Sequence, residues 1–166
     1  MPTGGVWRVA VEPHHCYVCG ELNACGLRLP IHLEGERAWA EVALRQEQEG
    51  WRGVAHGGIL CALLDEVMNW ALFRHDAWGV TVDLRTRFRR PVPIGRHVRA
   101  EGWPVDVRRR LLTTAGRIVD AATGELLCEA EGRYMAASEA RKRELKATYR
   151  FRLVPAGEPS TGHPTR

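Results

Sequence analysis

The chain has 166 residues, of which 45% are hydrophobic and 27% charged, and its net charge at pH 7 is +4. This is the length of one domain, and such a domain buries roughly 70% of the surface of its unfolded chain, so it needs no disulfide or structural metal to fold. The mild positive charge does not indicate nucleic acid as a partner. No stretch approaches the ~20 apolar residues that span a bilayer, so we expect no membrane association.

The cysteines predict the compartment. Their number is odd, and they occupy positions 16, 19, 25, 61 and 128. The first residues, MPTGGVWRVAV, lack the apolar core of a secretory signal. Because free thiols are typical of a reducing environment, we predict a cytoplasmic protein.

Periodicity and turn residues predict the elements in chain order. A hairpin turns at Glu34-Gly35-Glu36, a long helix follows at residues 57–74, and Ser138 caps a short exposed helix at 138–147. From Pro155 on, Pro, Gly, Ser and Thr dominate, and we predict a flexible tail over residues 151–166. The predicted strands occupy residues 27–33, 37–44, 79–89, 95–107, 110–121 and 125–137.

The long helix carries acids in an apolar setting. Its apolar residues cover the whole helical wheel, which is typical of a buried helix. Asp65, Glu66 and Asn69 nevertheless lie in its middle. An unpaired buried carboxylate costs several kcal/mol, so such an acid needs a partner, access to water or a chemical role.

These elements predict an α+β fold, in which a curved antiparallel sheet of about six strands wraps around one long central helix. Only one strand–helix–strand passage occurs, and the last four strands follow one another without an intervening helix. We expect one domain over residues 1–150, with its core in residues 27–137.

The start of the helix suits acyl transfer. Gly57 and Gly58 open the helix, where backbone N–H groups lack intrahelical partners and the helix dipole is positive. Glycine also lets a substrate approach the backbone closely. Thioester hydrolysis needs a carboxylate and donors for the developing oxyanion, and Asp65 with these glycines offers both.

Three segments carry a family resemblance: GVAHGGILCALLDEVMNWA, VTVDLRTRFRRPVPIG and LCEAEGRYM. Together they resemble the hotdog-fold acyl-CoA thioesterases, in particular the phenylacetate-pathway (PaaI-like) branch, and CYVCGELNACGL resembles the CxxCGxxNxxGL opening of one subgroup. The resemblance covers roughly residues 14–137. It implies an acyl-CoA substrate, no cofactor, and a homodimer with a continuous sheet that often pairs again into a dimer of dimers.

The resemblance also implies roles for individual residues. Asp65 matches the catalytic acid and Gly57 the oxyanion donor. His56 matches the histidine that helps to position the thioester, and Thr81 matches a hydroxyl position that orients water. Relatives of another branch carry an Asn or Gln ahead of the HGG sequence, where this chain has GWRG at residues 50–53.

Four more residues are predicted to contact the substrate: Gly58, Trp51, Arg89 and Arg90. The two arginines lie beside the turn at Pro91 and are candidates for the phosphates of coenzyme A, with residues 108–110 as the next candidates. In the preceding strand the odd-numbered charged residues, from Asp83 to Arg89, are predicted to face away from Val80, Val82, Leu84 and Phe88.

Each assignment has a structural alternative. His56 could serve only as a helix cap, and Asp65 could be a structural acid paired with a buried arginine. Glu66 lies about 100° around the helix from Asp65, so we predict a structural or pocket-rim role for it. For the whole protein the alternative is a non-catalytic acyl-CoA-binding module, and a dehydratase is a weaker third hypothesis.

The cysteine-rich segment near the N-terminus contains residue types that bind zinc. His14-His15-Cys16-x-x-Cys19, with Cys25 nearby, combines imidazole and thiol groups. No second C-x-x-C or H-x3-H motif follows, so the usual four-ligand spacing is not met. We therefore predict reduced thiols in a tight turn and no metal.

Helix geometry predicts a site shared between subunits. Gly57 and Asp65 are eight residues apart, which is about 12 Å along a helix. An oxyanion donor and a base must both reach one carbonyl group, so they cannot come from the same helix. If both act, Gly57 of one chain must meet Asp65 of a second chain across a two-fold axis.

Overall fold

The computed structural model describes residues 4–108 and 110–157, and most of its strands belong to one large sheet. Eight strands follow the order β10-β1-β2-β3-β7-β8-β9-β6, with antiparallel neighbours, while β4 pairs with β5 alone. The strands are β1 (Val6–Ala10), β2 (His32–Glu34), β3 (Arg37–Ala43), β4 (Glu49–Trp51), β5 (Val54–Ala55), β6 (Gly79–Phe88), β7 (His97–Asp106), β8 (Leu111–Asp120), β9 (Leu126–Ala136) and β10 (Arg152–Pro155).

The long helix α1 (Gly57–Trp70) packs on one face of this sheet, mainly against β7 and β8. Two glycines make the close approach possible. A Cβ atom at Gly102 would lie 2.6 Å from Met68 Cα, and one at Gly116 would lie 2.7 Å from Met68 Cγ. Leu63 and Leu64 are fully buried in the same interface. Each such leucine stabilises the fold by roughly 1.5–3 kcal/mol through the removal of its side chain from water.

The burial of α1 is uneven. Its sheet-facing residues are buried, whereas Ile59, Ala62, Asp65 and Asn69 are only half-buried. The helix also ends at Trp70 rather than at residue 74. A short 3₁₀ helix follows at Phe73–His75 because the backbone tightens to hydrogen bonds between residues three apart.

The α+β prediction is confirmed, with eight strands in the sheet rather than about six. The added strands are β1 and β10, which pair with each other. The prediction of a tail from residue 151 is therefore wrong for Arg152–Pro155, because Leu153 finds a register partner in Val9. Residues 158–166 lie outside the described residues.

Two other boundaries differ from the prediction. The strand predicted at 27–33 begins only at His32, because the backbone N–H groups of Leu27 and Leu29 bond to carbonyls in the cysteine-rich loop. The second helix, α2 (Glu139–Tyr149), is capped by Ser138 as predicted and runs two residues further than expected. In the described ranges neither helix has the length and apolar character that crossing a bilayer requires.

A β-bulge in β6 reverses part of the predicted face pattern. The pairing of β6 with β9 shifts register between Thr81 and Asp83. Before the bulge Thr81 points inward, and Val80 and Val82 are 72% and 53% exposed. After it, Leu84 takes the inward face. The prediction that Val80 and Val82 share a face with Leu84 is therefore wrong, because a bulge adds one residue to the alternation.

Candidate active site

Asp65 is oriented by two hydroxyl groups from neighbouring strands. Its Oδ1 accepts a hydrogen bond from Thr81 Oγ1 on β6 at 2.8 Å and another from Tyr134 Oη on β9 at 3.1 Å. Tyr134 is fully buried, and this burial, with the nearby charge of Asp65, raises the pKa of its phenol. The phenol therefore stays protonated and donates. The described residues donate no hydrogen bond to Oδ2, which leaves this oxygen for water or substrate.

The alternative pairing of Asp65 with a buried arginine does not occur within the described part of the chain. Both partners of its carboxylate are neutral donors. The hydrogen bonds fix the direction of the carboxylate without neutralising its charge, so the group keeps the capacity to take up a proton or attack a carbonyl carbon.

His56 is the N-cap of α1. Its Nδ1 accepts a hydrogen bond from the backbone N–H of Gly58 at 2.9 Å. A backbone N–H can only donate, so Nδ1 carries no proton, and the neutral ring must carry its proton on Nε2. The capping role considered for His56 is therefore present, and it also leaves Nε2–H as a free donor on an exposed side chain.

The two glycines at the helix start are not equivalent. The N–H of Gly58 is already used by His56, so it is not a free oxyanion donor. The N–H of Gly57 makes no hydrogen bond to any of the described residues. Gly57 also lies under the ring of Phe88, since a Cβ atom there would be 3.3 Å from Phe88 Cζ. Gly57 thus offers an unpaired donor beside a half-exposed aromatic ring.

The structure brings Asp65 together with Thr81, but not with Gly57. Both Gly57 and Asp65 lie on α1, eight residues apart, which corresponds to about 12 Å along the helix axis. Within one chain the acid and the helix-terminal donor are therefore separate half-sites.

The other predicted substrate contacts lie near the start of α1 or at the end of β6. Trp51 on β4 is 86% exposed. Its strand neighbour Gly50 touches His56, because a Cβ atom there would be 2.9 Å from His56 Cα. Arg89 pairs with a carboxylate oxygen of Glu129 at 2.5 Å, and Arg90 with one of Glu125 at 2.8 Å. Of the alternative phosphate-binding arginines, residue 109 lies outside the described residues.

An aromatic cavity of about 310 Å³ lies at the far end of α1 from His56. Asn69 and Glu66 contribute polar groups to its wall. Trp70 lines this cavity, whereas Met68, two residues earlier on α1, is fully buried in the core. The aromatic lining consists of Trp70, Phe73, Trp78, Tyr149 and Phe151.

The sequence analysis did not select Tyr134, although the strand carries a signal for it. Strict alternation in β9 places Cys128, Ala130, Gly132 and Tyr134 on the inward face. Gly132 makes room for the ring, because a Cβ atom there would be 2.8 Å from Tyr134 Oη. A buried tyrosine usually hydrogen-bonds its hydroxyl group, so an inward tyrosine beside a glycine indicates a polar partner across the core.

Gln48 is a second residue that was not selected. It is buried, and its backbone carbonyl accepts a hydrogen bond from His56 N at 2.8 Å. Its side-chain Oε1 accepts from the backbone N–H of Arg45 at 2.8 Å. The amide therefore supports the segment that enters α1.

Comparison with known proteins shows which family this chain is similar to. Residues 52–127 match the family model described as Thioesterase superfamily. Human acyl-coenzyme A thioesterase 13 is 27% identical over 96 residues, which are 57% of this chain and 67% of that protein.

Two solved structures are similar over longer stretches. A thioesterase superfamily protein superposes with a TM-score of 0.69 and is 30% identical in sequence. The match covers 73% of this chain and only 60% of that protein. A mutant of the phenylacetic acid degradation protein PaaI from Thermus thermophilus gives a TM-score of 0.58 and 29% identity over 66% of this chain and 93% of that protein. Residues 52–127 are therefore similar to the thioesterase superfamily, and the chain shares the hotdog fold of these solved thioesterases, PaaI among them.

Proposed function

We propose that this protein hydrolyses an acyl-CoA thioester to a carboxylic acid and coenzyme A, with Asp65 as general base or nucleophile. The observation that carries the proposal is the orientation of Asp65 by Thr81 and Tyr134, with Oδ2 left open. Binding alone does not require a half-buried acid held in this way. The name of the human relative, acyl-coenzyme A thioesterase 13, supports the substrate class.

The proposed chemistry uses groups already present. As a general base, Asp65 takes a proton from water while the water oxygen bonds to the thioester carbon. The carbonyl oxygen becomes an oxyanion, which the N–H of Gly57 and Nε2–H of His56 stabilise. When the C–S bond breaks, the proton passes from Asp65 to the sulfur of coenzyme A. As a nucleophile, Asp65 would instead attack the thioester carbon and expel the coenzyme A thiolate, which takes a proton from water. Water would then cleave the resulting anhydride, which releases the carboxylic acid and regenerates Asp65. Thr81 donates to Asp65 in the free protein, so we assign it a positioning role.

We infer that the complete site is shared between two copies of the chain. Strand β6 is the last strand on its side of the described sheet, it is ten residues long, and it exposes Val80 and Val82. A long apolar edge is an aggregation hazard unless another strand covers it. Antiparallel pairing of β6 with its copy would cover these residues and the half-buried side of α1, giving a homodimer with a continuous sheet. Pairing of such dimers into tetramers follows from the family resemblance.

The coenzyme would bind at the chain that supplies Gly57. Phe88 at the end of β6 covers Gly57, and Arg89 and Arg90 follow it directly. These arginines therefore lie at the same end of the molecule as the helix start, while Asp65 lies near the opposite end of β6, beside Thr81. One chain would bind the coenzyme phosphates and the oxyanion, and its partner would supply the acid.

The decisive experiment measures release of free coenzyme A thiol from a panel of short, medium, long and aryl acyl-CoA thioesters. We expect many turnovers per chain on at least one member of the panel. A matched thioether analogue, in which a methylene group separates the carbonyl carbon from sulfur, should bind without releasing thiol. If calorimetry detects binding of the thioesters while no thiol appears, the protein is the alternative non-catalytic acyl-CoA-binding module.

The free cysteines also bear on the cellular compartment in which the protein works. All five are unpaired in the structure, with sulfur environments from exposed to buried. We infer that the protein works in a reducing compartment, in agreement with the cytoplasmic prediction.

A further inference from the structure

A second group of reactive side chains lies between the N-terminal loop and α1. The sulfur atoms of Cys16 and Cys19 and a carboxylate oxygen of Glu66 all lie within 4.8 Å of one another. His14 Nε2 lies 3.4 Å from Cys19 Sγ. We propose that His14, Cys16, Cys19 and Glu66 bind one Zn²⁺ ion, which fastens the N-terminal loop to the central helix.

Two of the separations between ligand atoms match those of a tetrahedral zinc site. With zinc–ligand bonds of about 2.0–2.3 Å, neighbouring ligand atoms in a tetrahedron are separated by roughly 3.3–3.8 Å. Cys16 Sγ lies 3.6 Å from Glu66 Oε2, and Cys19 Sγ lies 3.4 Å from His14 Nε2. His14 lies outside the group of three whose ligand atoms are within 4.8 Å of one another, so its ring must move toward Cys16 and Glu66 to complete the set.

Hydrogen bonds from outside the proposed site orient two of its ligands toward the ion. His14 Nδ1 lies 3.1 Å from the carbonyl oxygen of Glu12, which can only accept, so Nδ1 carries the proton and Nε2 presents a lone pair to the site. Glu66 Oε1 accepts a hydrogen bond from Trp70 Nε1 at 2.8 Å, which leaves Oε2 toward the sulfurs. Metal-binding histidines and carboxylates are typically held by outer partners of these kinds.

The backbone of the loop is folded around the first cysteine. The backbone N–H of Gly20 donates to the carbonyl oxygen of Cys16 at 3.0 Å, which closes a tight turn across the two cysteines. Gly20 completes the turn, because a Cβ atom at this position would lie 2.4 Å from Cys16 N. The glycine of the C-x-x-C-G sequence is therefore required for both sulfurs to face α1.

Charge balance favours a dication at this place. Zinc binds thiols as thiolates, so two cysteines and Glu66 together bring three negative charges into a poorly hydrated region. A divalent cation offsets two of these three charges, which allows the deprotonated ligands to lie close together. All four zinc positions are taken by protein ligands, so the ion has a structural role, as part of the cavity wall that Glu66 lines.

This ligand set differs from the one considered in the sequence. Cys25 is exposed and lies outside the group, and the carboxylate of Glu66 takes the fourth place. Glu66 is 50 residues from Cys16, so no local spacing motif could include it. The prediction of no metal is replaced by this proposal, while Glu66 keeps a place in the wall of the cavity.

The experiment is metal analysis of the full chain, produced in zinc-supplemented medium and purified without chelators. We expect close to one zinc per chain, and close to none in Cys16→Ser. In Glu66→Gln we expect zinc affinity to fall about tenfold or more. Cys25→Ser is the matched control and should keep its zinc. Chelation should lower the melting temperature of the parent protein, and added zinc should restore it.

Cobalt substitution provides an independent readout of the geometry. Co²⁺ in place of zinc should give the strong visible absorption of a tetrahedral site, with a thiolate-to-metal band in the near ultraviolet. Parent protein that neither contains zinc nor binds added zinc more tightly than micromolar overturns the proposal, even if Cys16→Ser fails to fold. Loss of zinc in Cys25→Ser equal to that in Cys16→Ser would overturn the ligand assignment.

Discussion

Tyr134 donates a hydrogen bond from its buried phenol to Asp65 Oδ1 over 3.1 Å, although the two residues are 69 positions apart in the sequence. Thr81 donates to the same oxygen from another strand at 2.8 Å. Because both donors meet one oxygen of the carboxylate, the other oxygen has a defined direction and no described partner. This relationship makes Asp65 the centre of the proposed chemistry.

Replacement of Asp65 by asparagine should abolish turnover and leave acyl-CoA binding largely intact. Asparagine keeps the shape of the side chain and removes its capacity to accept a proton or to attack. Thiol release measures turnover, and calorimetry with the thioether analogue measures binding. Hydrolysis by Asp65→Asn within about tenfold of the parent, a barrier change of only ~1.4 kcal/mol, would exclude Asp65 as the catalytic acid.

Removal of either hydroxyl group beside Asp65 should lower kcat, by about tenfold, and leave KM nearly unchanged. Thr81→Val and Tyr134→Phe are near-isosteric and remove one donor each. Since both donors serve the same oxygen, the loss in the double variant should differ from the sum of the two single losses. Steady-state kinetics of the three variants measures this coupling.

Thr81→Ser is the control for this cycle, because serine keeps the hydroxyl group and should retain most of the activity. Fully additive losses in the double variant would mean that Thr81 and Tyr134 act independently of one carboxylate. Full activity of both single variants would show that the hydrogen bonds are structural only.

Two substitutions of His56 should separate its capping role from its proposed catalytic role. Asparagine is a good N-cap, so His56→Asn should keep the stability of the parent, whereas His56→Ala should lose about 1 kcal/mol. Both lose Nε2–H, and kcat should fall by about 10²-fold in each. Thermal unfolding and thiol release give the two readouts. An active His56→Asn variant would reduce His56 to a helix cap.

Replacement of Arg89 and Arg90 by alanine should raise KM much more than it lowers kcat. Contacts to phosphates far from the carbonyl stabilise ground and transition states alike, and the effect should shrink in high salt. The double variant Arg85→Ala, Arg87→Ala, at exposed positions of the preceding strand β6, removes the same two charges and serves as the control. An unchanged KM in the variant that lacks Arg89 and Arg90 would exclude them as phosphate ligands, and residues 108–110 would be the next candidates.

Mixed dimers should test the shared site directly. Gly57→Pro removes the proposed oxyanion donor, and proline is often tolerated at the first position of a helix. His56, which would precede it, has φ −65° and ψ 132°, a conformation that suits a residue before proline. Homodimers of Gly57→Pro and of Asp65→Asn should both be inactive. A mixed dimer places both lesions in one site and leaves the other native, so about half of the parent activity should return.

The mixing experiment needs proof that heterodimers form, which two affinity tags on the two chains supply. Mixed dimers that form and remain inactive would contradict the shared-site model. Activity in the Gly57→Pro homodimer would instead show that the Gly57 N–H is not needed.

Local patterns predicted most of the elements and half of the site. The apolar wheel with its central acids predicted α1, alternation predicted six strands, and Ser138 was correctly expected to cap α2. The HGG sequence and Asp65 selected the candidate chemistry. These features depend on neighbouring residues, through helical or strand periodicity and through capping by the nearest side chain, so a single sequence contains them.

Tertiary structure decided the remainder, because the deciding contacts join residues far apart in the chain. The bulge at Thr81 comes from pairing with β9, and it turns Thr81 toward α1 while Val80 and Val82 face out. Strand β10 exists because β1 offers it a register partner. Tyr134 meets Asp65, and Glu66 meets Cys16, only after the sheet has folded against the helix. The sequence by itself determined which groups are present, and long-range packing decided which of them touch.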